Sequence, residues 1–130
     1  ASTVSHDCHN LLVVGTSDSA MALAANEVIK SQGGIAIVVD GDLAAKIELP
    51  IAGLMSLEPI DIVARKIEAV ENALKKAGAL YESIEMTLSL LGLIVIEELH
   101  LSNKGLVELQ SNSPLNFVDL IKNKEESRFL

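Results

Sequence analysis

Near the start of the chain, His6-Asp7-Cys8-His9-Asn10 gathers two imidazoles, a carboxylate, a thiol and an amide at consecutive positions. Side chains of these types move protons near neutral pH or ligate a divalent metal ion. On extended backbone His6 and His9 would point to opposite sides, so a shared target requires the chain to turn between them. A complete metal site needs further ligands, and His100 is the one other histidine. No metal or catalytic set is therefore expected within this chain. The candidate site residues are His6, Asp7, His9 and Asn10, expected to face an active-site mouth or a subunit interface. Polar groups crowded before a buried strand lose hydration when covered, and each must then find a hydrogen bond. The plainer alternative is that they tie down the entrance to that strand. Cys8 beside a histidine in sequence does not by itself make a Cys-His pair.

A second polar run, Gly15-Thr16-Ser17-Asp18-Ser19, joins a strand-like segment to a helix, where dinucleotide enzymes hold pyrophosphate. The second and third glycines of that motif are missing, and Asp18 would repel the phosphate. A helix N-cap is the better reading. Gly-x-Ser-x-Gly is also absent, which leaves a serine hydrolase unsupported.

The elements that must carry these residues follow from apolar patterning. Leu11 to Val14 is a short apolar run, and Met21, Ala24, Ala25, Val28 and Ile29 form a helical stripe over 18–32 that closes at Gly33-Gly34. Ile35 to Val39 is a second apolar run, so strand, helix and strand form a βαβ unit. Asp40-Gly41 marks a hairpin turn with Leu43 to Leu49 returning antiparallel. The expected class is α/β (α+β mixed), a mixed sheet with two main helices and a βαβ unit followed by a hairpin.

Leu49 to Ser56 is apolar yet contains Pro50 and Gly53, and reads as an ordered, partly buried loop. A second helix begins near Glu58-Pro59 and ends at Gly78, with Ile60, Val63, Ala64, Ile67, Val70, Leu74 and Ala77 on one face. Residues 86–96 fit either a helix or a strand. Asn103-Lys104-Gly105 is a turn ahead of a last strand, Leu106 to Leu109. Residues 1–120 form the expected domain, and 121–130 a solvated tail.

Composition narrows the function classes. The formal charge of −8 repels a phosphate backbone, and no basic cluster overrides it, so nucleic acid is not an expected partner. The longest apolar stretch falls far short of the roughly 20 residues that cross a bilayer. One cysteine allows no internal disulfide, and no charged-then-apolar leader precedes the first strand-like run, so the expected setting is cytoplasmic without membrane contact.

Read in order, Thr3-Val4-Ser5-His6-Asp7-Cys8-His9-Asn10, Leu11 to Gly15 and Gly33-Gly34-Ile35 resemble the start of the last domain of bacterial-type adenine deaminases. Leu49 to Ser56, Met86-Thr87-Leu88-Ser89-Leu90 and Val95 to Gly105 follow in the same order, so the resemblance covers about residues 3–119. Each string is weakly specific, and their joint order is the specific signal. Cys8 stands where the family more usually has serine, which argues against an essential hydroxyl there, and Glu97 stands where proline is expected.

The resemblance implies a parent that hydrolyses adenine to hypoxanthine and ammonia. Its water would be activated by manganese, iron or zinc in an N-terminal amidohydrolase-type barrel. Such a barrel takes roughly 200 residues or more, and its paired-histidine motif has no counterpart here. The chain is expected to be inactive alone, with the barrel, the parent's purine substrate and a second copy of the parent as its partners. Two other functions fit the residues: a free-standing small-molecule-binding or regulatory domain, suggested by the βαβ unit, and a dimerisation module, suggested by the apolar 49–56 loop.

Overall fold

The computed structural model of the chain describes residues 1–81, 83–110, 114 and 116–118. Helix α1 spans Asp18–Lys30; Ser17 caps it from extended backbone, its hydroxyl accepting the Ala20 N–H, and Asp18 and Lys30 match the helix dipole. Its end is a double closure, Gln32 N–H to the Ile29 carbonyl and Gly33 N–H to the Val28 carbonyl, both 3.0 Å. The left-handed position falls on Gln32 (φ 60), one residue before the glycine pair.

Strands β1 (Gly34–Val39) and β2 (Asp42–Glu48) form the expected antiparallel hairpin, with Asp40 and Gly41 both left-handed in its turn. Gly34 has no substitute here, because a Cβ would strike the Ile47 carbonyl oxygen and its φ is 138. Helix α2 (Ile60–Lys76) lies across the hairpin, and Ile35, Ala45, Ile47, Leu49, Val70 and Ala73 form the buried core. Its inward stripe is narrower than the apolar face read from sequence. Val70 is buried while Ile60 and Ile67 stay exposed, because a two-stranded sheet covers only part of a helix. Lys66 on α2 reaches Glu48 and Glu58, each at 2.5 Å, and its hydrogen bond to Glu48 holds that carboxyl below the usual range.

The α+β class is as expected, its strands lie in two small antiparallel sheets, and Leu11–Val14 does not pair directly with β1. The chain's opening residues intervene. Ser2 bridges antiparallel to both Leu12 and Ile35, so the Leu11–Val14 segment runs parallel to β1 with residues 1–3 between them. The exchange is visible in Ser2 N–H to Leu12 O and Thr3 N–H to Gly34 O, at 2.9 and 3.0 Å. Antiparallel partners on both sides satisfy the backbone groups of the inserted segment, which leaves Leu11–Val14 a single bridge rather than a strand.

The open segment resolves into helix α3 (Ile84–Ser89), a 3-10 turn at Leu90–Gly92 and irregular chain to Glu97. A strand there would need a paired edge, whereas a helix closes its own hydrogen bonds. Strands β3 (Glu98–Ser102), β4 (Gly105–Leu109) and β5 (Asn116–Phe117) make a second antiparallel sheet in that order. The 49–56 loop is ordered, as expected: Ile51 pairs with Met55, and Leu49 is buried while Met55 is exposed. The tail 121–130 lies outside the described residues. Among the described residues no helix is long and apolar enough to cross a membrane.

Candidate functional site

Residues 4–11 form a loop whose two stems are pinned where Ser2 pairs with Leu12. Below the loop, Thr3 ties three segments together. The Gly34 N–H donates to its hydroxyl at 2.8 Å, and the hydroxyl donates to the Gly53 carbonyl at 2.6 Å. A Cβ on Gly53 would meet the Thr3 side chain at 3.2 Å, so the 49–56 loop approaches this closely because it carries glycine there. Above it, Ser5 is 3% exposed and its carbonyl accepts the His9 N–H at 2.7 Å, which closes the turn over His6–Cys8. His9 is left-handed (φ 47), and the backbone makes the turn that a shared orientation of this cluster requires.

His6 is half-buried against α3. Its N–H donates to the Ser89 carbonyl at 3.1 Å, and its Nδ1 lies 2.9 Å from the Ser89 hydroxyl, bridging 83 positions of sequence. Ser89 is 2% exposed and its hydroxyl donates to the Met86 carbonyl at 2.7 Å. Glu85, one turn earlier on α3, is partly buried; burial pushes its carboxyl above the usual range, nearby His6 draws it back, and Glu71 raises it further. Glu85, Leu88 and Ser89 border a mainly apolar cleft of about 270 Å³ that reaches Gly15, Met21 and β1.

The structure separates the four residues read from sequence. His6 is anchored inward, whereas Asp7, His9 and Asn10 are exposed, and among the described residues their side chains make no hydrogen bond or ion pair. Asn10 and Cys8 line a second cleft of about 400 Å³ that runs to Leu101, Ser102 and Asn103 at the β3–β4 turn. Ser89 and Glu85 are the residues that inspection of the sequence missed. Ser89 sits within Met86 to Leu90, and the fold brings it against the loop at His6, Leu101 to Asn103 to the cleft beside Asn10, and Gly34 to the loop's base at Thr3.

His100 is not part of this cluster. It lies on β3 opposite Val107, its Nδ1 buried and, among the described residues, without a hydrogen-bond partner. Among the described residues no three His, Cys, Asp or Glu side chains come together to hold a metal ion. The described residues thus offer no ligand set for the divalent ion that the resemblance implies for the parent's barrel.

The fold and site define an α+β domain with a polar loop displayed on a tied base. The sequence profile described as "Adenine deaminase C-terminal domain" matches residues 1–113, and the chain belongs to that family. It is 50% identical over 109 residues to an adenine deaminase of Rubrobacter xylanophilus, covering 84% of this chain and 18% of that protein. An adenine deaminase of Clostridium botulinum is 47% identical over 108 residues, covering 83% of this chain and 18% of that protein. That of Moorella thermoacetica is 47% identical over 121 residues, 93% and 20% respectively. The chain spans about a fifth of the length of these curated relatives.

Proposed function

We propose that this chain serves as the accessory C-terminal domain of an adenine deaminase. The catalytic part of that larger protein, an amidohydrolase-type barrel with manganese, iron or zinc, converts adenine to hypoxanthine and ammonia in cytoplasmic purine salvage. The observation that carries this reading is the pattern of coverage: 84% of this chain matches a relative of which it forms only 18%. In this reading His6, Asp7, His9 and Asn10 face the mouth of the catalytic part. The support is geometric, because Asp7, His9 and Asn10 are displayed to solvent at the tip of a loop whose base is hydrogen-bonded to β1, the 49–56 loop and α3.

The test is ammonia release from adenine by the longer polypeptide, by the same polypeptide without this domain, and by this chain alone with added manganese, iron or zinc. Turnover is expected from the first and not from this chain. Metal-dependent turnover by the 130-residue chain would overturn the reading. A second reading, contact between copies of the parent, draws on the exposed apolar side chains Met55, Leu57 and Ile60. Sedimentation of the longer polypeptide with Leu57→Glu and Ile60→Glu, expected as monomer against a wild-type oligomer, checks it.

A further inference from the structure

Ser89 carries one hydroxyl proton and has two close neighbours, the Met86 carbonyl at 2.7 Å and the His6 Nδ1 at 2.9 Å. A carbonyl oxygen only accepts, whereas an imidazole nitrogen donates or accepts according to tautomer. Were the hydroxyl turned to His6, the Ser89 and Met86 oxygens would face one another at 2.7 Å with no hydrogen between them. Ser89 is 2% exposed, so water does not screen that repulsion. With the proton on the Met86 side, both contacts are satisfied only when His6 Nδ1 carries hydrogen. The His6 backbone N–H bond to the Ser89 carbonyl, 3.1 Å, holds the His6 main chain beside Ser89.

We propose that Ser89 is a positioning residue: it fixes neutral His6 as the Nδ1–H tautomer and leaves Nε2 as a hydrogen-bond acceptor for an N–H group of the purine substrate. The hydrogen bond at one ring nitrogen decides the state of the other. Among the described residues Nε2 has no hydrogen-bond partner, and the neighbouring titratable groups are Glu85 on α3 and Asp7 and His9 on the loop. Adenine presents N–H groups on its exocyclic amine and its five-membered ring, and these suit an acceptor of fixed direction. The assignment to a purine rests on the reading of the chain as part of an adenine deaminase.

The tautomer is read directly from long-range proton–nitrogen correlation spectra of the chain labelled with ¹⁵N, at about pH 8, where histidine is neutral. The expected wild-type spectrum has His6 Nδ1 protonated and Nε2 unprotonated. Ser89→Ala is expected to shift His6 toward Nε2–H, and Ser89→Thr to keep the wild-type pattern. A wild-type His6 that is Nε2–H, or that averages between tautomers, overturns the proposal without reference to any variant. In the full-length enzyme Ser89→Ala is expected to raise KM for adenine about tenfold, with recovery in Ser89→Thr. An unchanged KM beside the expected spectrum removes the purine contact and keeps the tautomer. A full-length protein that does not deaminate adenine removes the proposed function instead.

Discussion

The hairpin β1–β2 with α1 and α2, and the loop over residues 4–11 with α3, are built by different forces. In the first, Ile35, Ala45, Ile47, Leu49, Val70 and Ala73 exclude water together, so stability is spread over a contiguous apolar core. In the second, a few hydrogen bonds between distant segments hold the shape, with Ser5 and Ser89 the buried polar residues at the join. Such bonds set direction more than stability, since each contributes only about 0.5–1.5 kcal/mol net. The difference separates the part that keeps the domain folded from the part that displays polar groups.

The largest expected effect lies in the core. Ile47 is 2% exposed, and Ile47→Ala should cost about 2–5 kcal/mol in urea unfolding of the chain. A cost below about 1 kcal/mol would show that the hairpin and α2 do not share one core.

Next in size are His9→Ala and Asp7→Asn in the longer adenine deaminase proposed above. Both side chains are exposed, so each substitution should change stability by less than about 0.5 kcal/mol. Turnover should nevertheless fall about tenfold, equivalent to about 1.4 kcal/mol of barrier. Equal loss of melting temperature and activity would make the loop another structural element and erase the contrast between the two regions.

Glu85 gives a pH test of how far α3 is covered. Burial raises its folded-state pKa above the unfolded value. Its contribution to stability is then fully present below the unfolded pKa and is lost as pH rises through the higher folded pKa. Glu85→Gln should therefore gain melting temperature relative to wild type as pH rises across that window. A difference that stays flat with pH would mean the α3 face is solvated.

The smallest effect concerns Gln32, left-handed at φ 60 after α1. Gln32→Gly should stabilise the chain by about 0.5 kcal/mol, because glycine adopts this conformation without the steric cost. Destabilisation in thermal unfolding would show that the Gln32 side chain makes a contact that outweighs its strain.

Much of this molecule is determined locally and is legible in the residues themselves. Asp40-Gly41 makes a hairpin turn because both positions tolerate positive φ, Ser17 caps α1, and Gly78 ends α2 at φ 100. The crowding of His6 through Asn10 ahead of Leu11 likewise marks a candidate site before any fold is known. Periodicity could not reveal that residues 1–3 pass between Leu12 and Ile35, since strand pairing depends on which edges meet and not on the pattern within one segment. Nor could it show that residues 84–89 form a helix, because alternation over so short a run suits both forms. The pairing of His6 with Ser89 spans 83 positions and involves a serine unremarkable in its own context. Only the packing of α3 against the loop brings the two groups within 2.9 Å, and a side chain's hydrogen-bond partner is set by that proximity in space.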